Sequence, residues 1–392
     1  MKNQPQYLRL FFVALGGIVL LASLFFFFFR DENTSRFADF PRSLSNGDAS
    51  SNTSEKDLIN QKPSTRSGKG EEQNSSNAQS PESARETMAW VYPGAPSCAA
   101  SNEYSDGRIL DVLKPEYFSI NESGELIFLT EENRGCNAYS PENSEKIRKF
   151  SREQFVTISS SYSKSMDIFI TRELRDGENI NRLIEFVRSN GFTGVELDFE
   201  DFGGWDSGMY DRYTSFVKQL GNALHAEGKK LMIDGPAIPG DEEALWYRWR
   251  YEDFLSLPVD RIVIMAYDYQ FDHGAGSPIA PLDWMEKVLQ RTVSKFPYVE
   301  RLSVGIPSYG YEGILGSSQV TLLTYDQAKE KPGFETATRE NLSGEMTWES
   351  GNTVYFYQDG ESMNRKRTIA EKFGIFSVSV WHLGGNKWFA GK

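Results

Sequence analysis

From Met88 onward, short apolar runs alternate with segments of helical period. The runs are Met88–Tyr92, Tyr117–Ile120, Phe155–Ser160, Gly194–Glu200, Lys230–Pro236, Arg261–Asp268, Arg301–Ser308 and Ile375–Leu383. Between them lie helical candidates at about Glu103–Leu113, Pro141–Phe150, Ile180–Ser189, Tyr210–Glu227, Glu242–Leu255, Asp283–Ser294 and Glu361–Lys372. Strand and helix in strict alternation predict an α/β fold, with a parallel sheet covered by helices. Eight such units over residues 88–392 predict a closed (β/α)8 TIM barrel. A doubly wound open sheet is the alternative. It would want a phosphate-binding glycine loop after the first strand, and "VYPGAPSCAA" is not one. The gap before the last run is longer than the others. "EMTWESGNTVYFYQD" reads there as a hairpin around Ser350-Gly351-Asn352. A small α+β insertion is therefore expected between strands 7 and 8, over about residues 311–360.

Upstream the pattern differs. Leu10–Phe29 is 20 uncharged, almost wholly apolar residues, about the length of helix that crosses a hydrocarbon core. Lys2 and Arg9 precede it, which places residues 1–9 in the cytoplasm by the positive-inside rule. A cleaved signal peptide is the rival, but the run ends in five phenylalanines and then Arg30-Asp31-Glu32, with no small-residue cleavage site. Residues 10–29 thus read as an uncleaved transmembrane anchor with the barrel on the extracytoplasmic side. Residues 30–87, rich in Ser, Asn, Glu, Lys and Gln, read as a disordered linker, too polar to offset its ordering entropy.

Candidate chemistry sits on the fourth run, Gly194-Val195-Glu196-Leu197-Asp198-Phe199-Glu200. Side chains alternate faces along a strand, so Glu196, Asp198 and Glu200 share one face at about 6.6 Å spacing. An antiparallel sheet would leave them as a solvated acidic face. In a barrel strand the face away from the helices points inward, where three carboxylates are costly and repel one another. Charges kept in such a place are usually functional. Glu200 lies at the C-terminal end of the strand, where barrel enzymes build their sites. The ionised neighbours predict that one carboxyl stays protonated near neutrality. Glu200 is assigned as that acid, with Asp198 holding the charge and orienting the substrate.

These residues resemble the fourth-strand signature of glycoside hydrolase family 18, the chitinase family, D-G-x-D-x-D-x-E, here Thr193-Gly194-Val195-Glu196-Leu197-Asp198-Phe199-Glu200. Met265-Ala266-Tyr267-Asp268 is similar to the family's M-x-Y-D on the sixth strand, and Trp381 in "VSVWHLGG" to the Trp ending its eighth. The segment "SVGIPSYGYEG" looks like its seventh strand. The resemblance covers about Met88 to Trp388. It implies a retaining, substrate-assisted hydrolysis of glycans containing β-1,4-linked N-acetylglucosamine, peptidoglycan or chitin-like, outside the usual two-carboxylate scheme. By that resemblance Glu200 protonates the leaving oxygen, Asp198 holds the acetamido N–H and Tyr267 hydrogen-bonds its carbonyl. Asp268 contacts the sugar, Trp381 floors the −1 site and Glu196 joins the substrate contacts; Tyr269, a rim aromatic apart from the resemblance, is a further candidate substrate contact. Glu196, Thr193 and the third-strand "TISSS" depart from the family pattern. They resemble a divergent bacterial branch with spore-cortex and cell-wall N-acetylglucosaminidases.

Composition adds limits. A formal net charge of −13 without a basic run leaves no nucleic-acid surface. The three histidines have no metal-ligand spacing, and no P-loop or G-x-S-x-G elbow appears, so no metal or cofactor is expected. His225 is expected on the surface, His273 near the pocket and His382 facing away from it. Trp205, Phe271, Trp284, Tyr309 and Trp348, with Tyr269, are the aromatic candidates for the rim. Cys98 and Cys136 fall in loops on one rim, which makes them a candidate disulfide, two separate thiols being the alternative. A non-hydrolytic, lectin-like barrel is the second functional reading.

Overall fold

The computed structural model describes residues 85–91, 94, 97 and 110–390. The expected anchor, all of the linker but its last three residues, and Cys98 lie outside the described residues. Among the described residues no helix is long and apolar enough to cross a membrane.

The strands in chain order are β1 (Glu86–Val91), β2 (Leu110–Lys114), β3 (Glu116–Ile120), β4 (Leu126–Phe128), β5 (Ser151–Ser160), β6 (Gly194–Phe199), β7 (Lys230–Pro236), β8 (Arg261–Met265) and β9 (Leu302–Pro307), then β10 (Gly310–Ile314), β11 (Val320–Leu323), β12 (Thr338–Arg339), β13 (Met346–Ser350), β14 (Thr353–Tyr357) and β15 (Ser377–Leu383). Parallel pairing runs from β1 through β2, β5, β6, β7, β8 and β9 to β15, which pairs again with β1, so the barrel closes. Pro115 has no N–H to donate and divides the second barrel strand. β2 pairs with the first half of β5, and β3 with its second half.

The longer helices are α1 (Pro141–Arg148), α2 (Ser163–Asp176), α3 (Glu178–Ser189), α4 (Ser207–Ala226), α5 (Leu282–Lys295) and α6 (Gly360–Lys372). Their apolar faces pack with the outward-facing residues of the strands, such as Val195, Leu197 and Phe199, in one continuous core. A second, smaller apolar cluster of Met88, Trp90, Val112, Phe155, Met232 and Val263 fills the barrel interior.

Three expected elements are corrected. The helix expected over Glu103–Leu113 gives way to strand β2 from Leu110. Its Leu110, Val112 and Leu113 are buried by strand pairing on both sides. The helix over Glu242–Leu255 is reduced to two short turns, Glu243–Trp246 and Tyr251–Phe254. Tyr247 and Arg250 are extended between them, which lets Tyr247 and Trp249 pack on Phe202. Helix α2 was not anticipated; Gly177, at φ 65°, ends it and starts α3. The linker boundary at 87 also moves, because Glu86 and Thr87 already belong to β1.

The insertion forms a five-stranded antiparallel sheet in the order β11-β10-β14-β13-β12. Ser350 pairs with Thr353 across the expected hairpin. Glu345 fastens it to the barrel: its carboxylate accepts from the N–H groups of Ile279 and Ala280, both at 2.8 Å, and pairs with buried Lys366 at 3.1 Å.

Candidate active site

The site begins at Gly194. A Cβ there would lie 2.1 Å from the Lys230 carbonyl oxygen and 2.7 Å from the Phe155 ring. Only glycine lets β6 close on β7 at that level, which sets the height of every later residue of the strand.

Glu196 is the first inward carboxylate, and it is fully buried. Lys114 Nζ donates to Oε1 at 2.6 Å, while Trp90 Nε1 and Thr157 Oγ1 donate to Oε2 at 2.9 and 2.6 Å. The Lys114 ammonium also donates to Ser379 Oγ at 2.9 Å and sits 3.2 Å over the Trp90 ring. A buried ion pair stands only when its remaining hydrogen-bonding capacity is met, and here it is. The expectation that Glu196 contacts substrate is therefore corrected: its oxygens are occupied beneath the site by interior side chains.

Asp198 is one inward step higher and only partly buried. Among the described residues its Oδ1 has no hydrogen-bond partner. Burial, then the charges of Glu200, Glu196 and Glu116, push its carboxyl well above the usual aspartate range, against the pull of Lys114. That direction runs against the expectation that Asp198 holds the charge. Glu116 faces it from β3, bridged to Arg134 at 2.6 Å and accepting from Ser159 Oγ.

Glu200 follows at the strand end. Its N–H donates to the Ser160 carbonyl at 2.9 Å, and Trp205 Nε1 donates to its carbonyl at 3.1 Å, so the backbone is held while the carboxyl stays loosely tied. Among the described residues only the Ser161 hydroxyl reaches that carboxyl, at 3.3 Å. Burial, then the Asp268 charge, raise it to about 7, with the Ser161 bond opposing. Desolvation outranks the neighbouring charges as the cause, and Asp268, from another strand, comes first among the charges, where the sequence pointed to the carboxylates of the same strand.

The far wall comes from β8, β9 and β15. The Tyr267 ring stacks on Trp381, with centroids 6.4 Å apart and planes 21° apart. Gly305 makes room for it; a Cβ there would meet the Tyr267 ring at 2.7 Å. Burial and the surrounding carboxyls, Asp268 first, push its phenol well up, so it remains a donor. Asp268 takes a left-handed φ of 71°, strained for an aspartate. Its carboxyl accepts from the Tyr309 hydroxyl and lies 3.5 Å from Gln270 Nε2. Burial lifts it to about 6, although those two bonds pull it down. Trp381 packs on the interior apolar cluster and meets Tyr309 edge to face at 5.0 Å; its peptide to His382 is cis.

Glu200, Asp198, Tyr267 and Asp268 lie close enough for their charges to act on one another, and Trp381 stacks on Tyr267. Tyr269 lies at the rim, face to face with exposed His273 at 3.6 Å. Trp205 and Trp348 are core residues and not rim aromatics. His225 is a surface partner of Asp260 at 2.8 Å, and His382 is buried, its imidazole pushed down to about 3. Cys136 is disulfide-bonded. Among the described residues no His, Cys, Asp and Glu cluster could hold a metal ion. Sequence reasoning missed Lys114, Ser161, Tyr309 as a partner of Asp268, and Asp234, fully buried on β7. The signal for Lys114 and Asp234 was a charge standing in an apolar strand.

Comparison with known proteins follows the same residues. The profile of "Glycosyl hydrolases family 18" matches residues 111–386. The uncharacterized glycosylase YvbX of Bacillus subtilis (strain 168) is 26% identical over 219 residues, 52% of this chain and 61% of that one. A cortical fragment-lytic enzyme of the same strain is 20% identical over 226 residues, 52% and 49% respectively. The chain thus spans about half the length of several curated relatives it matches. A crystal structure of a chitinase from Chromobacterium violaceum ATCC 12472 superposes with a TM-score of 0.64 at 19% identity, covering 77% of this chain and 95% of that one. At that identity the likeness speaks for the fold.

Proposed function

The chain belongs to the glycosyl hydrolases family 18, and from that premise we propose that it hydrolyses glycans containing β-1,4-linked N-acetylglucosamine, with retention and with help from the substrate's own acetamido group. The observation that carries this is Glu200: a carboxyl at the strand end, raised to about 7, with Asp198 two residues below it. A group with that proton affinity can donate near neutrality and accept afterwards.

In the first step the acetamido oxygen attacks the anomeric carbon. Glu200 gives its proton to the glycosidic oxygen, and the C–O bond to the leaving sugar breaks. Tyr267 donates to the acetamido carbonyl and Asp198 holds the acetamido N–H. Positive charge growing there favours ionised Asp198, against the burial and neighbouring carboxyls that raise its proton affinity. In the second step the Glu200 carboxylate takes a proton from water, the water oxygen bonds to the anomeric carbon, and the bond from that carbon to the acetamido oxygen breaks. Trp381 supplies the apolar floor and Asp268 a sugar contact.

The proposal extends to place and polymer. The apolar run Leu10–Phe29 supports a single-pass anchor with the barrel outside the cytoplasm. A relative named for lysis of cortical fragments supports a wall glycan, peptidoglycan or a chitin-like polymer, as substrate. Cys98 is proposed as the partner of Cys136, the chain having two cysteines. Product analysis on peptidoglycan and on N-acetylglucosamine oligomers tests the reading. Cleavage by the parent protein and its loss in Glu200→Gln are expected. Binding of the same oligomers without turnover by the parent protein would establish the lectin-like alternative instead.

A further inference from the structure

Trp381 stands near the end of β15, and its backbone is fixed by buried polar side chains that the mechanism above does not use. Pairing of β15 with β9 sets Trp381 opposite Pro307. Pro307 has no N–H to give the ladder. The next residue takes over: Ser308 donates its N–H to the Trp381 carbonyl at 2.8 Å. The Ser308 hydroxyl then accepts from the His382 N–H at 2.8 Å and donates to the His382 carbonyl at 2.7 Å. Asn386 Nδ2 donates to the same hydroxyl oxygen at 3.1 Å. A serine hydroxyl offers one proton and two lone pairs, and each of them is engaged here.

Ser308, His382 and Asn386 are all buried. Solvent does not replace a hydrogen bond lost in such a place, so each bond counts in full. Side chains alternate along a strand, and holding both peptide groups of His382 fixes the direction in which the preceding side chain, Trp381, leaves β15. The Trp381 ring itself meets Tyr267 and Tyr309 through ring contacts.

Asn386 carries the clamp on to the insertion. Its Oδ1 accepts from the Tyr325 N–H at 2.8 Å, and the neighbouring Gly385 carbonyl accepts from the Asp326 N–H at 3.0 Å. Both donors belong to the insertion's short helix, Tyr325–Lys329. Tyr325, Asn386, Ser308 and His382 thus form one hydrogen-bonded chain from the insertion to the residue beside the sugar floor.

Resting on the hydrolase reading above, we propose that Ser308 and Asn386 are positioning residues for Trp381: they set the plane on which the −1 sugar lies and tie that plane to the insertion. Neither touches the sugar. Their effect comes through geometry, and a displacement of about 1 Å can cost about 100-fold in rate.

Two experiments test this. The first needs no turnover, so its failure is distinct from failure of the hydrolase reading. Glu200→Gln protein is labelled with fluorotryptophan, and the Trp381 fluorine resonance is identified by its loss in Trp381→Phe. Ser308→Ala should move that resonance, and Ser308→Thr, which keeps the hydroxyl, should move it less. Asn386→Ala spares both bonds from Ser308 to His382 and should also give a smaller displacement. A resonance at its parental position in folded Ser308→Ala overturns the proposal. Should that variant not fold, an unmoved resonance in Asn386→Ala overturns it in the same way. The second experiment separates the kinetic constants in the enzyme with Glu200 intact. Ser308→Ala should lower kcat by about tenfold, with KM changed less than about twofold. A serine that served stability alone would lower Tm and leave both constants of the folded enzyme unchanged, and that outcome overturns the proposal.

Discussion

The bottom and the mouth of the barrel hold the same kind of side chain in opposite states. At the bottom Glu196 has a cation and two neutral donors for its two oxygens, all within 2.9 Å. At the mouth, among the described residues, Asp198 has an oxygen with no partner, and Glu200 has one hydroxyl at 3.3 Å. Only the bottom carboxylate has its negative charge compensated. A saturated carboxylate is a structural part. An under-supplied one keeps its proton, and a proton available near neutrality is what glycosidic cleavage requires.

Replacing the under-supplied acid should matter most. Glu200→Gln should lower kcat by about 10²–10⁴-fold with the fold intact, read by turnover of a chromogenic N-acetylglucosamine oligomer. At the bottom, Lys114→Met should instead cost stability, about 3–5 kcal/mol in a urea titration, because Glu196 is left buried and unpaired. Pairing it with Glu196→Met should recover much of that loss; failure to recover would break the distinction between the two levels. Trp381→Ala should lower kcat/KM by about 10²-fold through misplacement of the −1 sugar.

Stability against pH gives a smaller effect with a defined sign. The Glu200 carboxyl is raised from 4.5 to about 7 on folding. The folded chain therefore binds more protons than the unfolded chain between those values, and stability falls as pH rises through that window. Glu200→Gln removes that loss, so its Tm should exceed the parent's at about pH 8 and approach it at about pH 4. The smallest effect belongs to the rim: Tyr269→Ala should raise KM by less than about tenfold, in keeping with about 0.5–1.5 kcal/mol for one stacking contact.

The barrel was legible because its signals are local. Alternating apolar runs name the strands, and the spacing of Glu196, Asp198 and Glu200 places them on one face. The helix misread over Leu110–Leu113 hid Lys114, and with it the reason Glu196 is not a substrate contact. Partners such as Lys114 for Glu196, or Tyr309 for Asp268, come from strands far apart in sequence, 82 and 41 residues respectively. No local pattern carries that pairing; it appears only when the barrel closes. Asp234 was visible as an isolated acid in "LMIDGP", but its place among the interior carboxyls appears only once the barrel closes.

The central claim is that the mouth carboxyl of Glu200 is protonated near neutrality because it is buried and under-supplied with donors. A carboxyl-carbon NMR titration of the parent protein, with Glu200→Gln identifying the resonance, measures this without substrate. A midpoint at about 7 is the predicted result; a midpoint in the ordinary glutamate range near 4.3 would contradict it.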